Sequence, residues 1–252
     1  MSQVIKLNSI HTVETYNGNK VVFGFWGRCL NLGFSEGVYS SLNGSKYVGD
    51  NVDVVDKNLN VVRKQLHAKK LVTLKQIHSN KCIFVDKSSK SDQEADAMVT
   101  NCSSIALGIL TADCVPILFF DYEHNVIGAA HAGWKGAKAG IIENTIDYMC
   151  ELGCNAQSIS AIVGPCLQVS SFEVQKDFLN NFPNEYFVNT DNGLFFNLEA
   201  YCYKVISKKG INRITLSSFD VFSSPEQLFS YRYSQKNFEG ICGRNISAIN
   251  LL

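Results

Sequence analysis

Residues 104–131 constrain the fold more than any other stretch. SIALGIL (104–110), VPILFFD (115–121) and VIGAAH (126–131) are apolar runs of strand length, parted only by residues 111–114 and 122–125. Short β-rich runs bounded by polar or turn residues read as strands. The same signature recurs at 20–26, 71–77, 82–86, 159–163 and 211–217. Helical spacing is rarer. Val52, Val55, Leu59, Val62 and Leu66 predict a helix over 51–66. Ile141, Ile142, Thr145, Ile146, Met149 and Leu152 predict a second over 137–152, stopped by Gly153. Residues 197–209, closed by Gly210, make a third, and 172–181 a fourth. Strands in adjacent runs, then single helices, predict a layered α/β domain with mixed sheets. The order is not a regular βαβ alternation, so a doubly wound sheet is not expected. The best loop is KSSKSDQE (87–94), and residues 27–51 are loop-rich. With no repeat and no hinge, residues 1–252 are read as one domain.

Charge narrows the possible partners. Lys and Arg number 23, as do Asp and Glu, for a net charge of zero. A nucleic-acid-binding surface needs a basic excess, so nucleic acid is not the expected partner. Hydrophobic residues make up 46% and charged ones 18%, enough apolar material for a core and too little charge for disorder. The longest apolar candidate, Ile105 to Phe120, is broken by Thr111 and Asp113, so no membrane span is expected. The start, MSQVIKLNSIHTVETYNG, lacks the basic and apolar regions of a secretion leader. The nine cysteines include no C-x-x-C pair, and the closest are Cys150 and Cys154. Scattered thiols without a leader point to a reducing cytoplasm, most of them as small buried hydrophobes.

Three segments carry more polarity than their strands need: Lys75-Gln76-Ile77-His78-Ser79, Thr111-Ala112-Asp113-Cys114-Val115-Pro116 and Ala130-His131-Ala132-Gly133-Trp134-Lys135-Gly136. Each places a metal-competent side chain at a strand end, where a rigid scaffold meets an open mouth. His78, Cys114 and His131 together form a His₂Cys set. Three protein ligands with a fourth position open is the catalytic rather than the structural zinc pattern. Such an ion can activate water and polarise a substrate oxygen. The plain alternatives are a hydrogen-bonded histidine and a core cysteine, and periodicity does not bring the three together. The glycines after His131 allow close backbone approach to a ligand, and the following helix, with Lys135 and Lys138, could hold an anion. An ordinary glycine-rich turn is the alternative. Trp134 either stacks on a flat ring or packs into the core.

The set QIHS, TADCVPI, AAHAGWKG, VGPC, FEV and GR resembles the YfiH/DUF152 family from about Phe23 to Leu252. Its members, once labelled laccase-like polyphenol oxidases, are described as purine nucleoside phosphorylases with adenosine deaminase and methylthioadenosine phosphorylase activity. The resemblance implies a single α/β domain with layered mixed sheets, similar to the catalytic domain of a deamidating bacterial toxin. It implies zinc, with copper able to occupy the same site, on His78, Cys114 and His131. It implies purine nucleosides and phosphate as substrates, with Ser41 and Asn43 of an S-L-N segment, Arg28 and Arg244 near them. Gly133, Trp134 and Lys135 join that substrate-binding set. Asp113 is a candidate acid, base or ligand orienter. Three departures stand out. Asn58-Leu59 replaces a common Asn-Arg, Lys135 replaces an arginine and so loses its fork geometry, and Cys242 precedes Gly243-Arg244 where threonine is commoner.

These implications predict phosphorolysis, with the ion and the 133–136 turn holding phosphate and Asp113 handling protons. They also predict adenosine deamination at the same metal position. Three rivals differ in class. A multicopper oxidase needs many imidazoles, and this chain has five histidines and no His-x-His pair. A metal-free hydrolase would use Cys114 as nucleophile with His131 or His78 as base. A binding module would keep the site as a vestige.

Overall fold

The computed structural model describes residues 11–16, 19–28 and 32–252. The first ten residues, read above as carrying no leader, and Cys29 lie outside that range. Among the described residues the strands are β1 (His11–Tyr16), β2 (Asn19–Trp26), β3 (Lys70–Lys75), β4 (Cys82–Phe84), β5 (Gln93–Glu94), β6 (Ala97–Thr100), β7 (Ile105–Thr111), β8 (Val115–Asp121), β9 (Val126–Ala132), β10 (Ser160–Val163), β11 (Glu173–Val174), β12 (Phe187–Thr190), β13 (Gly193–Phe196), β14 (Arg213–Leu216) and β15 (Asn245–Leu251). The helices are α1 (Val52–Gln65), α2 (Trp134–Ala139), α3 (Ile141–Glu151), α4 (Leu198–Lys208) and α5 (Tyr231–Asn237).

The strands form two large sheets, ordered β1-β2-β15-β7-β3-β5 and β14-β10-β8-β9-β6-β4, and a small one, β11-β13-β12. Both large sheets are mixed. β3–β7, β4–β6 and β10–β14 pair in parallel, whereas β2–β15, β15–β7 and β8–β9 are antiparallel. Side-chain alternation explains the stacking. In β7, Ile105, Leu107 and Ile109 join Phe23, Ile249, Leu118, Phe120 and Ile127 in a core between the two sheets. Ala106 and Leu110 face the other way and pack with Val62 and Leu66 at the α1 end. On the far side of the second sheet, Val115, Ile117 and Phe119 meet Ile142 and Ile146 of α3 and Val205 and Ile206 of α4. The order is therefore helix, sheet, sheet, helix. Both faces of the central strands are covered, which is why their sequence reads as continuous apolar runs.

The predicted layered α/β fold with mixed sheets is the fold observed. Two elements differ from expectation. The helix expected over 137–152 is two helices, broken where Gly140 takes a left-handed φ of 96°. Residues 172–181 are not an α-helix but β11 followed by a 3₁₀ turn over Lys176–Asn181. Phe172, Phe178 and Phe182 all converge on Phe196, a long-range aromatic cluster that replaces a helix face.

Topology gathers the three unusual segments. β3 runs parallel to β7, so both end on the same side of the first sheet. Residues 112–114 then cross to the second sheet, where β8 pairs with β9 and Val115 lies opposite Ala132. The ends of β3, β7 and β9 thus meet at one mouth of the sandwich. Among the described residues no helix is long and apolar enough to cross a membrane. The eight described cysteines are all free.

Candidate metal centre

His78 follows β3, Cys114 lies on the crossing from β7 to β8, and His131 is on β9. His131 shares the parity of Ile127 and Ala129, so its ring points between the sheets, at the mouth. His78 Nε2 lies 3.8 Å from Cys114 Sγ. The two imidazoles meet edge-on at 4.7 Å. One metal-competent atom from each of the three falls within 4.8 Å of the others. His131 is buried, Cys114 half-buried and His78 exposed, so the set runs from the interior to the surface. Gly133 supplies the floor. A Cβ there would lie 2.7 Å from His78 Cδ2 and 3.1 Å from Cys114 Sγ. His78 and Asp113 hold left-handed backbone, with φ of 59° and 95°, the kind of local strain that recurs at functional sites.

Asp96, absent from the sequence reading, organises the set. Fully buried, it accepts hydrogen bonds from His78 N at 2.9 Å, Ser79 N at 2.6 Å and Ser79 Oγ at 2.7 Å. Its Oδ1 also lies 2.8 Å from His131 Nδ1. That bond leaves Nε2 of His131 to face the site, the outer-shell arrangement of a ligating histidine. Burial raises the Asp96 carboxyl, but the bonds from His131 and Ser79 outweigh it and hold it down at about 2. Burial also raises the Cys114 thiol, yet the imidazoles of His131 and His78 bring it to about 6. Burial disfavours charge on His131, and Cys114 with Asp96 overcome it, pushing that imidazole up to about 9. Without a metal, each of the two thus favours the charged form of the other. Two imidazoles and a thiolate, braced by a buried carboxylate and a glycine cradle, fit a zinc or copper ion.

The set opens into a cavity of about 640 Å³. Trp134 lines it and also packs edge-on against Phe178 at 5.1 Å. Arg244 lines it too. Asp113 lines it, with Oδ1 accepting from Ser230 Oγ and Oδ2 from Arg232 N, each at 2.6 Å. Its carboxylate thus fastens the start of α5. The other expected contacts fall outside the lining. Lys135 is exposed, 5.5 Å over the Trp134 ring. Arg28 lies 5.3 Å over Phe229. Ser41 is buried, with Oγ accepting from Gly33 N at 3.1 Å. Asn43 is buried and accepts from Ser45 N and Arg244 N. It reaches the site by placing Ser45 and Arg244, which both line the cavity. Tyr231 and Arg232 also line the cavity, although α5 has no sequence signal beyond the Ser230 cap.

A second group, Asp121, His124 and Cys154, also brings potential ligand atoms within 4.8 Å. Its carboxylate is already engaged by Ser158 Oγ at 2.6 Å, His124 Nδ1 at 3.0 Å and the Glu123 N–H at 2.8 Å. It ties the β8–β9 turn to the loop after α3.

Known proteins resemble this chain in sequence and in fold. A purine nucleoside phosphorylase of Corynebacterium glutamicum is 32% identical over 226 residues, covering 86% of this chain and 89% of its own. An adenosine deaminase, RL5, from an unknown prokaryotic organism is 32% identical over 160 residues, 59% of this chain and 61% of its own. The crystal structure of a Bacillus licheniformis hypothetical protein YfiH superposes with a TM-score of 0.85 at 26% identity, covering 98% of each chain. Residues 24–252 match the family model described as multi-copper polyphenol oxidoreductase laccase. With the two-sheet sandwich and these matches in agreement, the chain belongs to the YfiH/DUF152 family.

Proposed function

We propose that residues 1–252 form one catalytic unit, a zinc-dependent purine nucleoside phosphorylase that also deaminates adenosine. The observation that carries this reading is the His78–Cys114–His131 set, braced by Asp96 and open to a cavity of about 640 Å³. That volume suits a nucleoside-sized ligand. The names of the Corynebacterium and RL5 relatives support the two reactions. Zinc suits the donor set, and copper competes for the same ligands when supplied. The free thiols suit a reducing cytoplasm.

In phosphorolysis an oxygen of hydrogen phosphate bonds to ribose C1′ as the C1′–N9 bond breaks. The bonding pair leaves with the purine, and the proton from hydrogen phosphate ends on the base. When bound, the ion supplies Lewis acidity toward a substrate oxygen or water. The chain's own residues supply position. Asp96 and Gly133 fix the two imidazoles and the thiolate. Trp134 and Tyr231 offer flat faces to a purine. Asp113 acts as a positioning residue rather than a proton carrier, because both its oxygens are occupied by Ser230 and Arg232.

Adenosine, inosine, guanosine and methylthioadenosine, each with and without phosphate, on metal-quantified protein test the reading. Free base and ribose 1-phosphate, or 5-methylthioribose 1-phosphate from methylthioadenosine, are expected only with phosphate, and inosine from adenosine without it. No ribose 1-phosphate from any nucleoside would sink the phosphorylase claim. The lowered Cys114 thiol favours one second reading, a cysteine nucleophile. Activity that survives a chelator and is lost to iodoacetamide would select it.

A further inference from the structure

The cavity is lined by one carboxylate, Asp113, and, besides the imidazoles, by three cations, Lys75, Arg232 and Arg244. Lys75 is spent on Glu94 at 2.8 Å. Among the described residues neither arginine pairs with a carboxylate. Arg232 Nη1 donates to Glu173 O at 2.9 Å, and its guanidinium lies 5.5 Å over the Phe172 ring. Arg244 Nη1 donates to the carbonyls of Cys242 at 2.9 Å and Gly243 at 3.0 Å. Its guanidinium lies 5.9 Å over Tyr231, the neighbour of Arg232. Each fork is thus pinned at one nitrogen, and Nε and Nη2 of both have no protein acceptor among the described residues. Both charges act on Asp113, the residue before Cys114.

Two half-buried guanidiniums beside a metal-ligand set, with the single Asp113 carboxylate acting on both and in ion-pair contact with neither, leave net positive charge for an anion to meet. A nucleoside is neutral and does not supply one. Phosphate does, and Lys135 lies outside the cavity. We propose that Arg232 and Arg244 form the subsite for the phosphate that attacks C1′, an inference that rests on the phosphorylase reading. The fork of each arginine matches two oxygens of a tetrahedral oxyanion.

The test is calorimetric titration of the metal-loaded full chain with inorganic phosphate and, separately, with a nucleoside 5′-monophosphate. Wild type, Arg232→Gln, Arg244→Gln and Arg232→Lys are compared. Wild type is expected to bind inorganic phosphate, and each glutamine variant to bind it about tenfold or more weakly. Arg232→Lys keeps the charge, loses the fork and should fall between them, which keeps the test open if a glutamine variant does not fold. In turnover the phosphate KM should rise by a similar factor while the nucleoside KM moves far less. Undiminished phosphate affinity in the folded variants overturns the proposal. So does arginine-dependent binding of the 5′-monophosphate without binding of inorganic phosphate. Arginine-dependent phosphate binding without ribose 1-phosphate formation would defeat the phosphorylase reading and leave the anion subsite standing.

Discussion

At the scale of single residues, Asp96 sets two of the three ligands at once. It takes the backbone N–H of His78 and the Nδ1 of His131. Asp96→Asn keeps the shape but removes the charge and one acceptor. Metal affinity should fall about ten- to a hundredfold, as for other outer-shell partners, read by chelator competition. Unchanged affinity would mean that Asp96 only braces the loop. Cys114 gives a prediction in pH. Its thiol is lowered to about 6, so the thiolate dominates above that value and is lost below it. In chelator-stripped protein, alkylation of Cys114 by iodoacetamide should rise from pH 5 and level off by pH 7. Burial pushes the Cys154 and Cys202 thiols up, so neither should react in that window. A Cys114 rate still climbing between pH 8 and 9 would contradict the assigned thiolate. His78, Cys114 and His131 were legible because each interrupts an apolar strand end. Asp96 was not, because an acid that follows Asp92 and Glu94 at the end of a polar loop looks solvated until its partners, 17 to 35 positions away, are seen.

At the scale of elements, α4 carries a cost at its start. Glu199 is buried, accepting from Gln168 Nε2 at 3.1 Å. Burial pushes its carboxyl up, only partly offset by Gln168 and Ser218. The folded state therefore holds a proton that the unfolded chain has lost, and stability falls as pH rises from about 4.3 through the raised folded value. Glu199→Gln should flatten that decline, as measured by urea unfolding between pH 4 and 8. The same slope in both proteins would show that another group causes it. Elements with strong periodicity, α1, α4 and β7 to β9, were legible. β15 was missed because Ser247 and Asn250 interrupt its apolar pattern. Both are buried, and Asn250 Nδ2 donates to Leu66 O at 3.0 Å, a partner 184 positions away. α5 was missed because YRYSQKN has no apolar face, and its place is fixed instead by Asp113.

At the scale of the whole molecule, the sandwich explains why three distant segments act together. β3 parallel to β7, and β8 antiparallel to β9, bring their ends to one mouth. Alternation of side chains was readable, but strand order was not, since pairing is set by contacts between distant residues. The same architecture bears on the family's laccase description. Five histidines cannot furnish a multicopper cluster, and two of them are in the His₂Cys set. The most direct test returns zinc in steps to chelator-stripped protein and follows phosphorolysis of inosine. Activity should rise linearly to one ion per chain and then stay level, with no rise in a Cys114→Ala variant. Full activity in the stripped protein, or activity that appears only with several copper ions per chain, would contradict that expectation.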